Sequence, residues 1–141
     1  MSNQKRDISV FMKDALKAVE EVEVKISDRL PNFVMKPVSP AELEDIQKDC
    51  TRTYLNPKTG QKEREFNNQL FMEKLAITST VFPDLKNENL QKSYGVLGES
   101  ALIKSILATP GEYIEWLNAA SKVNGFDEDE NFEDLIEEAK N

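Results

Sequence analysis

The stretch FNNQLFMEKLAITSTVF, residues 66–82, decides the fold because its apolar side chains are spread too widely for one face of a helix. Placed at the 3.6-residue period of an α-helix, they cover more than one narrow stripe. We therefore expect a central helix over residues 66–82 that is buried on two sides and ended by Pro83. The alternative is that one of the two sides is an exposed groove for a partner. The apolar residues are Phe66, Leu70, Phe71, Leu75, Ala76, Ile77, Val81 and Phe82.

Two further helices are predicted by one local pattern that occurs twice. The segments SPAE, residues 39–42, and TPGE, residues 109–112, each place a hydroxyl side chain before a proline and a glutamate three residues after the hydroxyl. Such a hydroxyl caps a helix, proline suits its first position, and the glutamate can return a hydrogen bond to the cap. Cys50 near the end of the first helix and Trp116 in the second are interpreted as core residues. Asn124-Gly125 then predicts a left-handed helix end.

The pattern before these helices is mixed. Residues 1–8 are expected to be disordered, and residues 9–19 suit a short helix. Residues 22–26 and 33–38 alternate as strands do, which predicts a small two-stranded ribbon. Pro37 would confine the second strand to a sheet edge, because proline cannot donate a ladder hydrogen bond.

The remaining segments complete the predicted fold. Residues 54–64 are polar and contain turn chemistry, so they predict a loop. Residues 102–107 predict a short helix, and residues 126–141 predict an acidic C-terminal helix with a thin apolar edge. The fold class expected is mainly α, a single compact helical domain over residues 1–141, to which a small N-terminal two-stranded β-ribbon adds an α+β element.

Composition removes several kinds of chemistry. The chain of 141 residues has no histidine, one cysteine and five scattered glycines. It therefore lacks the commonest general base, any intrachain disulfide and a glycine-rich phosphate loop. No apolar run reaches the roughly 18 residues of a membrane helix, and the first residues have no signal-peptide core. We expect a protein that is not an enzyme, needs no cofactor, contacts no membrane and works in a reducing cytoplasm.

One stretch near the C-terminus resembles a calcium-binding loop. Asp127, Asp129, Asn131 and Glu138 fall at loop positions one, three, five and twelve. The sixth position requires glycine for a sharp turn, and Phe132 occupies it. The stretch also suits a helix capped by Asn131, which would carry Glu138 away from Asp127. We therefore predict no metal site.

Negative charge is concentrated at the C-terminus. The whole chain has a net charge of −8, and residues 126–141 contain eight acidic residues and one lysine. An acidic segment repels the phosphates of nucleic acids and attracts basic partners, so a nucleic acid is not expected as a ligand. The alternative is a solvated surface that only aids solubility. The candidate partner-binding residues are Glu128, Glu130, Phe132, Glu133, Leu135, Ile136 and Glu137.

Several stretches in order along the chain resemble one family, the XkdN-like tail assembly chaperones of tailed phages and defective prophages. The first is VFPDLK at residues 81–86, and the second is LQKSYGVLG at residues 90–98, with the family's Ser-Tyr-Gly-Val stretch. The third is Leu107 with PGEY at residues 110–113. The last is VNGFD at residues 123–127, followed by FEDLIEEAKN at residues 132–141.

The resemblance implies a non-enzymatic helper of tail assembly. Members of this family bind the long tape-measure protein, keep it soluble and help to recruit tail-tube subunits around it. The implied location is the cytoplasm of a bacterial host, and the protein would be absent from the mature virion. Self-association is left open. The alternatives are a structural phage tail or head component and a host cytosolic adaptor domain.

The acidic segment gives a first testable prediction. Replacing Glu128, Glu130, Glu133 and Glu137 with Gln removes four charges and keeps side-chain size, so the fold should be unchanged. Association with a basic client should slow by roughly tenfold at low salt and become less salt-sensitive, because steering by charge is lost. Stopped-flow association at two salt concentrations measures both effects. An unchanged rate at low salt would mean that the segment serves solubility only.

Overall fold

The computed structural model describes residues 6–126, and within that range the fold is α+β rather than mainly α. The mainly α expectation is wrong because five strands form two sheets where the sequence predicted one ribbon. The strands are β1 (Val22–Val24), β2 (Phe33–Met35), β3 (Thr51–Leu55), β4 (Lys62–Phe66) and β5 (Thr80–Phe82). The helices are α1 (Pro40–Asp49), α2 (Asn68–Ser79), α3 (Glu88–Ser93), α4 (Glu99–Ile106) and α5 (Pro110–Val123).

Helix α2 is the central helix, and its two-sided burial is confirmed. Asn67 caps it by accepting a hydrogen bond from the Leu70 backbone N–H at 3.0 Å. Phe71 and Leu75 are buried in a cluster with α1, whereas Ala76 belongs to a larger cluster with α4 and α5. One helix therefore belongs to both parts of the core.

The N-terminal ribbon is present but extends into a three-stranded antiparallel sheet in the order β1-β2-β5. Helix α2 ends at Ser79, before Pro83, and the next residues form β5 beside β2. The Lys36 backbone N–H donates to the Ser79 carbonyl at 2.9 Å and begins this pairing. The sheet-edge prediction is wrong, because β2 is the middle strand and ends at Met35, before Pro37.

The predicted polar loop over residues 54–64 is instead part of the β3–β4 hairpin. Its cross-strand contacts are polar: Arg52 pairs with Glu65 at 2.7 Å, and the Tyr54 hydroxyl donates to Glu63 at 3.0 Å. Because its strands are mostly polar, apolar periodicity could not reveal the hairpin. Residues 9–19 likewise do not form one helix, since two short 3₁₀ helices, Ile8–Phe11 and Lys13–Ala15, occupy that range.

Both predicted helix starts are confirmed. Ser39 and Glu42 form a reciprocal capping box with hydrogen bonds of 2.9 and 3.1 Å. Thr109 accepts from the backbone N–H of Glu112 at 3.1 Å. Trp116 is fully buried, and its indole N–H donates to Thr80 at 3.0 Å, which joins α5 to the sheet.

The Glu112 side chain does not complete a second capping box, because it holds the connection between β1 and β2 against the start of α5. Its carboxylate accepts from Arg29 at 2.7 and 3.0 Å, from the Ser27 hydroxyl at 2.7 Å and from the Ala108 backbone N–H at 2.8 Å. Arg29 also donates to the Ile106 carbonyl at 2.6 Å. The Arg29 and Ser27 hydrogen bonds lower the pKa of Glu112 from 4.5 to about 2.

The lowered pKa predicts a specific acid sensitivity. A carboxylate whose pKa is lower in the folded state stabilises the fold above its ordinary value of 4.5, and that stabilisation is lost as the pH falls towards about 2. Glu112→Gln should therefore lower the melting temperature most above the ordinary value, and the gap to the native chain should close in acid. Thermal unfolding followed by circular dichroism measures the gap.

The control for this prediction is Glu115→Gln, which changes an exposed glutamate on the same helix. It should leave the melting temperature close to that of the native chain throughout the pH range. A gap for Glu112→Gln that is the same at neutral pH and in acid would contradict the assignment.

Candidate functional site

The residues predicted for partner binding lie outside the described residues, so their role stays a prediction. They are Glu128, Glu130, Phe132, Glu133, Leu135, Ile136 and Glu137. The described chain ends at Phe126, which packs against the cluster of α1 and α2. The acidic helix predicted for residues 126–141 lies outside the described residues from residue 127 onward, so it also stays a prediction.

The buried carboxylate of Glu73 connects α2 to α4 and α5 and therefore stabilises the fold. Glu73 is 6% exposed and is held by Lys104 at 3.2 Å, by the Tyr113 hydroxyl at 3.3 Å and by the Ser100 hydroxyl. Burial and the neighbouring Glu73 raise the pKa of Tyr113. Burial also raises the pKa of Cys50, which is consistent with its interpretation as a core residue. Between residues 6 and 126, no group of three or more acidic or cysteine side chains is placed to hold a metal ion.

The clearest candidate site is the loop between α3 and α4, residues 94–98, called here the Leu97 loop. The Leu97 side chain is 91% exposed, and Tyr94 at the start of the loop is 46% exposed. Val96 between them points inward and packs against the larger core cluster. The loop therefore has a partly buried anchor, Val96, next to a projecting apolar side chain.

A single glutamine fixes the conformation of the Leu97 loop. The Gln91 side-chain amide donates to the Leu85 carbonyl at 2.9 Å, and its oxygen accepts from the Gly98 backbone N–H at 3.1 Å. The Gln91 backbone carbonyl accepts from Val96 at 3.1 Å. Gly95 and Gly98 adopt φ values of 66° and 99°, where side chains with a Cβ are disfavoured. Leu97 is therefore exposed because the hydrogen bonds of Gln91 and the backbone angles of Gly95 and Gly98 fix the loop in this conformation.

The surface around the Leu97 loop mixes apolar and charged groups. A groove of about 490 Å³ lies beside the loop and is lined by Val96, Leu97 and Gln91 together with charged side chains of both signs. The charged lining residues are Lys86, Lys92, Glu88 and Glu99. An apolar centre with a polar rim is the composition of a protein-binding site.

Reasoning from the sequence missed both α3 and the Leu97 loop as a site. The signal available was the pair Gly95 and Gly98 on either side of two apolar residues, which indicates a loop with special backbone angles. The stretch LQKSYGVLG was used only as part of a family resemblance. The exposure of Leu97 could not be read from that pattern, because Val96 beside it is partly buried.

A second apolar surface lies at the N-terminus, in residues 8–19, called here the N-terminal segment. Its large apolar side chains are each at least 55% exposed, although more than half of its residues form short 3₁₀ helices. They are Ile8, Val10, Phe11, Met12, Leu16 and Val19. No helix among residues 6–126 is both long and apolar enough to span a membrane.

Comparisons with known proteins identify relatives along nearly the whole chain. A family described as phage XkdN-like tail assembly chaperone protein matches residues 8–140. The PBSX phage-like element protein XkdN of Bacillus subtilis (strain 168) is 34% identical over 142 residues, which cover 96% of this chain and 94% of that protein. The resemblance seen in the sequence is confirmed.

A second relative links the sequence to a solved fold. The uncharacterized protein YqbN of the same organism is 36% identical over 142 residues, or 96% of this chain and 93% of YqbN. The crystal structure of YqbN matches with a TM-score of 0.72 at 30% identity and covers 88% of this chain and 100% of that one.

The geometry of the Leu97 loop predicts the effect of removing its glutamine. Gln91→Ala deletes the hydrogen bonds to Leu85 and Gly98, so amide exchange at the loop should quicken by roughly tenfold or more. The global melting temperature should fall only slightly. Hydrogen exchange measured by mass spectrometry tests the change, with Gln69→Ala on the exposed surface of α2 as control. Unchanged exchange over residues 94–98 would contradict the role given to Gln91.

Proposed function

Because this chain belongs to the family of phage XkdN-like tail assembly chaperones, we propose that it binds the tape-measure protein of a tailed phage or prophage. In this proposal it keeps that protein soluble and helps to recruit tail-tube subunits around it. The role is non-enzymatic. The chain acts in the cytoplasm of the bacterial host and is absent from the finished virion.

The observation that carries the proposal is the nearly complete exposure of Leu97 on a fixed loop. Burying one leucine side chain in a partner contributes about 1.5–3 kcal/mol. The loop backbone that carries Leu97 is already fixed by Gln91, so the backbone loses little conformational freedom on binding and more of that contribution is retained. Lys92 and Glu99 beside it supply the polar rim that surrounds such binding centres.

The chemistry of the client fits a site of this kind. A tape-measure protein is a long chain that exposes apolar surface until the tail tube encloses it. A small protein with an acidic overall charge and an exposed apolar side chain can cover part of that surface and keep the complex soluble. Tail-tube subunits would displace the chaperone or join it as assembly proceeds.

Leu97→Asp tests the proposal directly. The substitution places a charge at the centre of the site, so we expect at least a tenfold loss of affinity for the tape-measure protein. The tape-measure protein should then shift from the soluble to the insoluble fraction on co-expression. Because Leu97 is almost fully exposed, the melting temperature of the chain should not change.

The matched control is Leu55→Asp, which makes the same change at a leucine that is 65% exposed on β3. It should leave co-purification and solubility intact. If the native chain itself neither co-purifies with the tape-measure protein nor raises its solubility, the chaperone proposal is wrong. Mass spectrometry of purified particles distinguishes the alternative of a structural tail or head component, which would be present in them.

A further inference from the structure

The β3–β4 hairpin has two faces that differ in charge. Side chains alternate along a strand, and residues paired across two strands share a face. The exposed part of one face, called here the basic face, consists of Thr53, Leu55, Lys62 and Arg64. The opposite face holds both glutamates of the hairpin strands, and these glutamates accept hydrogen bonds from Arg52, Tyr54 and Asn56.

The two cations of the basic face lack a partner in the described part of the chain. Between residues 6 and 126, no carboxylate lies within ion-pairing distance of Lys62 or Arg64. Leu55 pairs with Lys62 across the two strands and is 65% exposed. Two unpaired cations beside an exposed leucine complement a segment that carries both carboxylates and apolar side chains. The basic face therefore fits an acidic, partly apolar occupant.

The basic face continues the side of the hairpin that packs on the core. Phe66 lies two residues after Arg64 in β4, so the two side chains point to the same side. Phe66 packs against the cluster of α1 and α2, with 5.5 Å between its ring centroid and that of Phe71. Phe126 packs against the same cluster. The hairpin and the last described residue therefore share one point of attachment.

The position of Phe126 is fixed at the end of α5. The Asn124 side-chain oxygen accepts from the Val38 backbone N–H at 2.8 Å, which holds this helix end beside the start of α1. Gly125 then adopts a φ of 79°, and the Phe126 backbone N–H donates to the Ser121 carbonyl at 2.9 Å. The chain beyond Phe126 therefore starts from the cluster at the base of the hairpin.

Residues 127–141 have the composition that the basic face requires. They contain eight acidic residues and one lysine, together with the apolar residues Phe132, Leu135 and Ile136. Fifteen residues span about 22 Å as a helix and about 50 Å when extended, whereas the five residue pairs of the hairpin span about 17 Å. The segment is therefore long enough to run from the base of the hairpin to its tip.

We propose that residues 127–141 dock on the basic face of their own chain, with carboxylates beside Lys62 and Arg64 and an apolar side chain against Leu55. The tether favours the same chain over a second copy. A short link gives an effective concentration of about a millimolar, so a contact with a dissociation constant of about 1 mM is already half-occupied. The docked segment would neutralise two cations and cover an exposed leucine.

Paramagnetic relaxation in the full chain tests this proposal, which does not depend on the client. A nitroxide attached at Ala139→Cys should lower the amide signals of residues 53–55 and 62–64 roughly twofold or more, because the segment is docked for about half of the time or longer. Helix α3 packs on the other core cluster and should keep its signals. The label reacts at the introduced cysteine because Cys50 is buried.

Charge reversal distinguishes docking from the chance proximity of a tethered segment. Lys62→Glu combined with Arg64→Glu should restore most of the lost signal, because the segment is then repelled. Both side chains are exposed, so the melting temperature should stay close to that of the native chain. The control is Lys13→Glu combined with Lys17→Glu, which makes the same change in net charge in the N-terminal segment and should leave the signal loss intact.

A mixture of two chains identifies the molecule on which the segment docks. An isotope-labelled chain without the nitroxide should keep its signals when it is mixed with a nitroxide-labelled chain that lacks the isotope. Signals lost in this mixture would assign the basic face to a second copy and overturn the proposal. An absence of signal loss in the native chain, or a loss that persists after reversal of Lys62 and Arg64, would overturn it as well.

Discussion

The burial of α2 on two opposite sides is the constraint on which the rest of the structure depends. Phe71 and Leu75 require cover from α1, and Ala76 and Glu73 require cover from α4 and α5. Once α2 is enclosed in this way, its C-terminal end lies beside β2, and residues 80–82 continue as a strand. Asn124 then ties the end of α5 to the end of α2 by donating to the Ser79 hydroxyl at 2.9 Å. Each side of one helix thus organises one cluster of the core.

The features that could be predicted from the sequence are those determined by local chemistry. The caps at Ser39 and Thr109 were predicted because a hydroxyl side chain before a proline can accept a hydrogen bond from a backbone N–H in the first turn of the helix. The features missed depend on partners distant in sequence. Thr80 is a strand residue because it pairs with Met35 of β2. Glu112 makes a tertiary contact because Arg29 lies within hydrogen-bonding distance of its carboxylate. The β3–β4 hairpin was missed because its strands are polar. At the candidate site, the pair Gly95 and Gly98 is a signal for a loop that was not used to predict one, and the exposure of Leu97 required the structure.

The exposed apolar surfaces lie outside these constraints. Leu97 and the N-terminal segment contribute nothing to either core cluster among the described residues, and each can be changed without disturbing α2. The two surfaces also differ in kind. The Leu97 loop is fixed by Gln91, whereas the N-terminal segment has only short 3₁₀ turns. A fixed surface suits a defined contact with a client.

We propose that the Leu97 loop is the surface that binds the client. Hydrogen exchange of this chain, measured by mass spectrometry with and without the tape-measure protein, tests this assignment most directly. We expect slower exchange over residues 94–98 in the complex, with no change in α1 or in the β3–β4 hairpin. A stable complex in which residues 94–98 exchange as fast as in the free chain, while protection is confined to other elements, would contradict the assignment.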